Sequence, residues 1–324
     1  MTLSAHTHPP AKLNLFLELL GKRSDGFHEI DTVMVPIDLR DQIRVVRQHQ
    51  RGVSLSVRWV PSKEVVAHRL GLGGAVDQRS NLLEIPTGPE NLVHRALTKF
   101  SEIFSVDGGF DCELDKCIPA GAGLGGASSD AASALRCAAV LCGVAPHDRR
   151  LYDLAEQIGS DVTFFLGTSP DQPSMACRAR GRGERLEDLG PTATLSFVVV
   201  YPAVSLSTAK VYANAQVPQD PVDATRLINL LKGGETSALG EAMLNRLSDP
   251  AKKLAPQIAQ VLESLSELGT KTCQVTGSGS ACFAVAGSQE DAVRYAEALR
   301  SQLEPGAIVM AARSSHVPAS VNVT

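Results

Sequence analysis

A glycine-rich loop in the middle of the chain constrains the fold more than any other feature of the 324 residues. Residues 119–129 read PAGAGLGGASS and separate an alternating segment, Phe110 to Asp115, from a segment rich in small residues, Ser128 to Leu141. Alternation predicts a strand, and a run free of Gly and Pro predicts a helix. Cys142 and Gly143 then form a helix stop, with Gly143 in the left-handed cap position. The loop therefore leads from a strand into a helix.

A loop of this kind is typical of phosphate binding by the backbone. Glycine lets a ligand approach the main chain, and the N–H groups and dipole of the first helical turn attract an anion. Ser128 and Ser129 are placed to donate to phosphate or to ligate a metal. The loop lacks the Gly-Lys-Ser/Thr ending of a Walker P-loop. A plain glycine-rich turn that caps a helix is the alternative interpretation.

A dinucleotide-binding fold is a second alternative. Gly121, Gly123 and Gly126 satisfy its G-x-G-x-x-G spacing. That fold also needs an acidic residue at the end of a second strand about twenty residues further on. Asp148 lies at a comparable distance, but in a turn-like stretch with no strand before it. The sequence therefore disfavours a dehydrogenase.

Composition excludes several classes of protein. With 44% hydrophobic and 20% charged residues, the chain is an ordinary globular sequence, long enough for two domains. Its net charge of −4, without a basic cluster, argues against nucleic acid or a membrane surface as a partner. Seven cysteines without C-x-x-C pairs favour reduced thiols over disulfides or a zinc site. Without an apolar leader or a long apolar run, the sequence predicts a cytoplasmic protein.

Hydrophobic periodicity predicts an α+β protein. A linker around Gly190 and Pro191 predicts a domain boundary, which gives domains of residues 1–189 and 190–324. Mixed signals over residues 60–89 are interpreted as an excursion on the surface. The predicted strands are 12–20, 43–46, 53–59, 110–115, 175–178, 195–201, 272–276, 282–286 and 307–311. The predicted helices are 90–104, 128–141, 150–158, 224–231 and 256–268.

Three separated segments carry a resemblance to a known family: residues 10–15 (PAKLNL), the glycine loop, and residues 275–283 (VTGSGSACF). Their order and chemistry resemble the three signature motifs of the GHMP small-molecule kinases, from near the start of the chain to near its end. Residues 19–29 (LLGKRSDGFHE) resemble the N-terminal signature of the 4-diphosphocytidyl-2-C-methyl-D-erythritol kinase family. Mevalonate and homoserine kinases share the glycine loop but not this run. Shorter matches follow in the family's order at 90–93, 159–162 and 204–212.

The resemblance implies a two-domain GHMP kinase fold, with a ribosomal S5 domain 2-like N-terminal domain and a ferredoxin-like C-terminal domain. It implies ATP-dependent phosphorylation of the 2-hydroxyl of 4-diphosphocytidyl-2-C-methyl-D-erythritol, a step in the non-mevalonate route to isoprenoids. ATP and Mg²⁺ would be the cofactors, because phosphoryl transfer needs the charge of the triphosphate neutralised. The partner would be a small molecule that carries cytidine diphosphate, and the protein a monomer or a homodimer.

The same resemblance assigns the candidate site residues. Lys12 and Asp161 match the catalytic pair: the Asp would orient or deprotonate the hydroxyl and the Lys would touch the transferred phosphoryl group. Taken alone, each has a plainer interpretation, as a solvated strand-edge lysine or a helix-capping aspartate. The ATP-binding candidates are Asn91, Lys116, Pro119, Gly121, Gly123, Leu124, Gly125, Gly126, Ser128 and Ser129. The substrate-binding candidates are Asn14, Phe27, His28, Tyr212, Gly277 and Ser278.

The substrate-binding candidates have separate roles in the implied site. Phe27 and His28 match the aromatic-His pair that contacts cytosine in the family, and Tyr212 could close the other face of the base. Asn14 is expected on the same strand face as Lys12, because side chains two apart share a face. Residues 277–280 predict a tight turn that steadies the glycine loop. No carboxylate cluster in the sequence identifies a dedicated metal cage.

Two features depart from the family pattern. The connection over residues 58–89 is longer than usual, and residues 244–247 read LNRL where the family often has Asn-Asp-Leu-Glu. Both bear on substrate affinity and assembly more than on the reaction. Two other functions stay open. A non-catalytic ligand sensor would be expected to have lost Lys12 or Asp161, and a GHMP kinase for another small alcohol would leave Phe27 and His28 without a role.

Overall fold

The computed structural model describes residues 3–72, 80–167, 176–270, 272–315 and 320–324. Within these ranges the chain forms three sheets with flanking helices, which confirms the α+β prediction. The strands are β1 (Ser4–Thr7), β2 (Pro10–Lys22), β3 (His28–Arg40), β4 (Gln42–Gln48), β5 (Gly52–Trp59), β6 (Gly109–Lys116), β7 (Cys177–Gly181), β8 (Arg185–Asp188), β9 (Ser196–Pro202), β10 (Leu244–Asn245), β11 (Cys273–Val275), β12 (Cys282–Ala286), β13 (Ala307–Arg313) and β14 (Asn322–Val323).

The helices lie between and beside these strands. They are α1 (Lys63–Arg69), α2 (Leu92–Ile103), α3 (Gly126–Leu141), α4 (Arg149–Ile158), α5 (Ser160–Leu166), α6 (Thr208–Ala213), α7 (Thr225–Gly233), α8 (Leu239–Ala242), α9 (Ser248–Leu254), α10 (Pro256–Glu267) and α11 (Gln289–Leu303). Short 3₁₀ helices occur at Ser80–Leu83 and Thr236–Ala238. In the part of the chain described here, no helix has the length and apolar character needed to cross a bilayer.

The first sheet, in the order β14-β1-β4-β6-β5, carries the strand that leads into the glycine loop. Along β6 the side chains of Phe110, Cys112 and Leu114 are buried while Glu113 is exposed, as alternation in a half-buried strand requires. Helices α2, α3 and α4 pack together over this sheet. Helix α3 is built largely from small residues, which lets it pack closely against its neighbours. The predicted stop after Leu141 is confirmed, with Gly143 at a φ of 66°.

The second sheet, in the order β10-β2-β3-β7-β8, holds the first motif. Strands β2 and β3 form a long antiparallel hairpin whose register shifts between Asn14 and Phe16. Strand β10 joins β2 in parallel, with Asn245 opposite Leu17, and so brings a late segment of the chain beside an early one. Strand β14 does the same when it pairs with β1.

The third sheet forms the C-terminal part of the fold. Its elements follow the chain order β9, α10, β11, β12, α11, β13, and the strands lie in the order β11-β12-β9-β13. This is the β-α-β-β-α-β arrangement of ferredoxin-like folds, as predicted. Val198, Val200, Cys282 and Ala284 are fully buried and pack in one cluster with residues of α10 and α11.

Two sequence interpretations need correction. Residues 60–89 are not simply a surface excursion, because Val66, Leu70 and Leu83 are buried in the core and Trp59 donates its indole N–H to the Leu83 carbonyl at 2.9 Å. Residues 73–79 of that segment lie outside the described residues. The strand predicted over 175–178 is β7, which extends to Gly181, and Met175 lies outside the described residues. Strand β3 and helices α5 and α11 were not predicted.

Candidate active site

The glycine loop touches both other motifs. Lys12 N donates to Leu124 O at 2.9 Å, and Ala281 N donates to Ala122 O at 2.9 Å. Gly123 has a φ of 77°, and a Cβ at this position would lie 2.3 Å from Thr276 O. Only glycine allows this approach without moving the backbone. The predicted contact between the loop and the third motif is therefore confirmed.

A cleft of about 1160 Å³ opens where the three motifs meet. All the site residues predicted from the sequence line it except Leu124 and Ser129. Leu124 is 1% exposed and Ser129 is fully buried, so both lie behind the cleft wall. Leu124 contributes through its carbonyl, which holds β2 in place. Segments far apart in sequence are thus brought to one surface.

Lys12 and Asp161 lie near each other in this cleft. Lys12 is 3% exposed, and its Nζ donates to Asn14 Oδ1 at 2.6 Å and to Gly123 O at 2.9 Å. Asp161, in the first turn of α5, places Oδ2 3.7 Å from the same nitrogen. Burial lowers the pKa of the Lys12 ammonium below its ordinary value, although the charge of Asp161 opposes the shift. Neutral oxygens provide its nearest hydrogen bonds.

Asn14 fixes the position of that ammonium group. It shares the predicted face with Lys12, and its Nδ2 donates to Thr32 Oγ1 at 2.9 Å. Its backbone N–H donates to Thr276 Oγ1 at 3.0 Å. The side-chain amide is therefore held at both ends, because Nδ2 donates to Thr32 and Oδ1 accepts from Lys12. Its Oδ1 stays directed at Lys12. The first and third motifs are therefore joined by side chains as well as by backbone.

Asn245 holds the third motif from the other side, a contact that sequence reasoning missed. Its Nδ2 donates to Val275 O at 2.7 Å and to Gly277 O at 2.8 Å. It belongs to the LNRL segment noted as a departure from the family pattern. The following residue, Arg246, pairs with the fully buried Glu18 on β2. This departure therefore supports the turn at residues 277–280.

A buried ionic cluster lies beneath the glycine loop. Lys116 Nζ donates to Asp130 Oδ2 at 2.7 Å and also to Asp41 Oδ2. Asp41 Oδ1 accepts the N–H groups of Cys117 at 2.6 Å and Ile118 at 2.8 Å. Asp41 thereby fixes the turn that leads from β6 into the loop. The ammonium of Lys116, predicted to bind ATP, is already held by two carboxylates.

Asn91 and the long connection form one wall of the cleft. Asn91 caps α2, with Oδ1 accepting from Val93 N at 2.8 Å, and its Nδ2 donates to Pro86 O at 2.8 Å. Glu84, Ile85 and Pro86 line the cleft beside it. Since these three residues belong to the extended 58–89 connection, that connection shapes the rim.

The opposite end of the cleft carries the aromatic residues. Phe27 is 56% exposed, and the guanidinium carbon of Arg182 lies 5.4 Å from the centroid of its ring. The rings of His28 and Tyr212 lie 5.4 Å apart at an angle of 36°. Burial lowers the pKa of His28, and the charge of Lys22 lowers it further. Burial, with the charge of Asp161 added, raises the pKa of Tyr212. Both rings are therefore favoured in their neutral forms.

Two family models match the chain. The GHMP kinases N terminal domain matches residues 91–169, and the GHMP kinases C terminal domain matches residues 227–305. The predicted boundary at residue 190 falls between these ranges and stays a prediction. Crystal structures of a homoserine kinase from Cytophaga hutchinsonii (19% identity, TM-score 0.65) and an L. major mevalonate kinase (15%, 0.65) share the fold, each over 97% or more of both chains.

Proteins with higher sequence identity identify the family within the GHMP kinases. The 4-diphosphocytidyl-2-C-methyl-D-erythritol kinase of Rhodopirellula baltica is 46% identical, with 98% of this chain and 97% of the relative aligned. That of Pelotomaculum thermopropionicum is 35% identical over 90% of this chain and 92% of its own. A crystal structure of a 4-(cytidine 5'-diphospho)-2C-methyl-D-erythritol kinase has 31% identity and a TM-score of 0.71, over 96% of this chain and 99% of that one. These matches confirm the predicted resemblance and fold: the chain is a small-molecule kinase of the GHMP fold and belongs to the 4-diphosphocytidyl-2-C-methyl-D-erythritol kinase family.

Proposed function

We propose that this protein transfers the γ-phosphoryl group of ATP to the 2-hydroxyl of 4-diphosphocytidyl-2-C-methyl-D-erythritol, in the non-mevalonate route to isoprenoid precursors. One observation carries the proposal: a single cleft holds a Lys–Asp pair at one place and the Phe27 and His28 pair at another. The relatives named above carry the same activity in their names. A cytoplasmic location and a monomeric or homodimeric state stay predictions from the sequence.

Asp161 is the residue that accepts the proton of the substrate hydroxyl or orients that hydroxyl for attack. A hydroxyl is a weak nucleophile at neutral pH, so a carboxylate within reach of its proton lowers the barrier. The side chain of Asp161 is 35% exposed and lines the cleft, so a substrate can reach it. Lys12 stabilises the charge on the transferred phosphoryl group, since its ammonium is buried and its closest partners are neutral oxygens.

ATP lies along the glycine loop in this proposal. The N–H groups at the start of α3 and the hydroxyl of Ser128 are the donors to its phosphates, as is typical of an anion at a helix N-terminus. Asn91 and the cleft wall at residues 84–86 lie near the nucleoside. Lys116 contributes little direct charge, because its ammonium donates to Asp41 and Asp130 and Asp41 compensates its charge.

Mg²⁺ is the further cofactor, and the residues present fit it. The Ser128 hydroxyl and the Asp161 carboxylate line the cleft. Magnesium prefers such oxygen ligands. Within the described ranges, no three His, Cys, Asp or Glu side chains converge to form a metal cage. The phosphates of ATP would therefore supply most of the ligands, and the ion neutralises their charge.

Phe27, His28 and Tyr212 form the cytidine end. The exposed ring of Phe27 is available to stack on a base, and His28 provides hydrogen bonds to its edge. Tyr212 packs against His28 and keeps its ring in place. Gly277, Ser278 and Asn14 surround the region between the base and the reacting hydroxyl.

The test is an assay of ADP release with magnesium-ATP and purified protein. Four reactions are compared: 4-diphosphocytidyl-2-C-methyl-D-erythritol, mevalonate, homoserine and no acceptor. We expect turnover with the cytidine substrate alone. Turnover with another acceptor would support the kinase activity and overturn the proposed substrate. Tight binding of the cytidine substrate without turnover would instead favour a ligand sensor.

A further inference from the structure

Arg182 is a cation of the cleft that the proposed function leaves without a role. It lies in the tight turn between β7 and β8, where Gly183 N donates to Arg180 O at 3.2 Å and Arg182 N donates to Glu184 Oε2 at 2.6 Å. A Cβ on Gly183 would lie 3.4 Å from Ser160 Cβ. The turn therefore packs against the start of α5, one residue before Asp161.

The guanidinium of Arg182 reaches from this turn toward the aromatic end. Its central carbon lies 5.4 Å from the Phe27 ring centroid, a distance typical of a cation–π contact. Its carboxylate neighbours are Glu156, 4.0 Å away and half exposed, and the exposed Asp25, whose pKa the charge of Arg182 helps to lower. Because both carboxylates are in solvent, these pairs contribute little, so the charge of Arg182 stays available to a ligand.

The other basic side chains of the cleft differ from Arg182. Among the described residues that line it, Lys12, Lys22 and Lys116 are the remaining Lys or Arg side chains. Lys12 and Lys116 are buried and each makes at least two short hydrogen bonds. Lys22 lies opposite His28 in the β2–β3 register, and its charge adds to the effect of burial in lowering the pKa of His28. The turn that carries Arg182 packs against the helix that carries Asp161, and the guanidinium lies beside Phe27.

We propose that Arg182 binds the diphosphate group of the substrate and so selects a nucleoside diphosphate over the free nucleoside. The inference rests on the proposed function, in which the base lies at Phe27 and the reacting hydroxyl at Asp161. The diphosphate joins these two parts of the substrate. Arg182 belongs to a turn that packs beside Ser160, the neighbour of Asp161, while its guanidinium lies beside Phe27. A guanidinium is suited to this task, because its planar donors match phosphate oxygens in a bidentate geometry.

The experiment compares the binding of CDP and of cytidine by calorimetry. The variants are Arg182→Ala, Arg182→Lys and, as a matched control, Arg180→Ala, which removes an exposed arginine of the same hairpin paired with Glu187. We expect Arg182→Ala to weaken CDP binding by about tenfold or more, the loss of a charge-assisted hydrogen bond, and to leave cytidine binding unchanged. Arg182→Lys should recover part of the loss, and Arg180→Ala should bind like the wild type.

The kinetic readout separates this inference from the proposed function. Arg182→Ala should raise the KM for the cytidine substrate by a similar factor and leave the KM for ATP unchanged. Equal losses of CDP and cytidine affinity would overturn the proposal and assign Arg182 to the support of Phe27. Unchanged CDP affinity would overturn it as well. A further outcome is that the wild type fails to phosphorylate the cytidine substrate while Arg182→Ala still loses CDP affinity. In that case the proposed reaction is wrong, and the proposed contact of Arg182 with the diphosphate is supported.

Discussion

Replacing either aspartate of the buried Lys116 cluster with asparagine keeps the shape of the side chain, yet the two substitutions should differ sharply in their effect on stability. Asp41 is 1% exposed and accepts hydrogen bonds from Lys116, Cys117 N and Ile118 N. Asp130 is 2% exposed and accepts from Lys116 through Oδ2, while its Oδ1 has no partner. Asp41 is thus the better stabilised anion of the two, because it accepts more hydrogen bonds.

The protonation states follow from this asymmetry. Burial raises the pKa of Asp130 well above its ordinary value, and the charge of Asp41 adds to the shift against the attraction of Lys116. Burial acts to lower the pKa of Lys116, but the charges of Asp130 and Asp41 outweigh it and the pKa is raised. We therefore expect an ion pair of Lys116 with Asp41 beside a protonated Asp130.

Asp41→Asn should lower the free energy of unfolding by about 3–5 kcal/mol, since it leaves a buried ammonium without its anion. Asp130→Asn replaces a protonated carboxyl with an amide of the same shape, so at pH 5 it should cost under about 1 kcal/mol. The first loss is a large part of the ~5–15 kcal/mol that stabilises a typical domain.

The pH dependence gives the sharper test. The pKa of Asp130 is higher in the folded than in the unfolded protein, so its contribution to stability is greatest at low pH and is lost as the pH rises toward the folded value. While the native carboxyl keeps its proton and the unfolded one is ionised, the wild type loses about 1.4 kcal/mol per pH unit relative to Asp130→Asn. The stability of the variant relative to the wild type should therefore be higher at pH 7 than at pH 5.

Urea unfolding of the wild type and both variants at pH 5 and pH 7 measures these free energies, with the m-value as a check that each unfolds in one step. A loss for Asp130→Asn at pH 7 as large as that for Asp41→Asn would refute the assignment of the proton to Asp130. So would a stability difference between the wild type and Asp130→Asn that does not change with pH.

Three further predictions concern the cleft. Asp161→Asn should lower kcat by about 10²–10⁴-fold. The free energy of unfolding in urea should change by less than about 1 kcal/mol, because the ion pair of Asp161 with Lys12 is partly exposed. Turnover within tenfold of the wild type would show that the carboxylate takes no part in the chemistry. Gly123→Ala should lower Tm and raise the KM for ATP well beyond Gly143→Ala, a control with a similar φ of 66° but nothing within 4 Å of the added Cβ; equal effects would discount the contact with Thr276. Chelation of Mg²⁺ by EDTA should abolish ADP release and leave CDP binding by calorimetry unchanged, and residual turnover in EDTA would exclude the metal from the reaction.

Local patterns account for what the sequence predicted of the fold. The glycine loop, the strand before it and the helix after it are specified by neighbouring residues, and their bounds were close to those of β6 and α3. Strand β3 escaped detection because residues 30–37 are all buried, so neither face shows alternation. Its buried Asp31 is balanced by Arg178, 147 residues away, a contact that no local pattern reveals. Helix α5 was missed because Gly159 alone separates it from α4.

The candidate site likewise contains residues that sequence patterns predicted and residues that only the tertiary structure reveals. Motif matching brought Lys12, Asp161 and the loop residues together because the family pattern already contains long-range information. Asp41, which serves this site through tertiary contacts, has no signal in the sequence around it. Asn245 lies in the segment at residues 244–247 that departs from the family pattern, but nothing in that segment indicates which contacts it makes.

The two buried lysines of the cleft are held in different ways, and this difference decides which can act on the phosphoryl group. The charge of Lys116 is compensated by Asp41, so its field in the cleft is weak. Lys12 obtains its short hydrogen bonds from the neutral oxygens of Asn14 and Gly123, and the carboxylate of Asp161 stands 3.7 Å away. Because a charge in a poorly solvated site acts strongly on its surroundings, Lys12 keeps a field that can stabilise charge developing during transfer. In the proposed function, Lys116 therefore stabilises the architecture beneath the loop, and Lys12 is the cation suited to phosphoryl transfer.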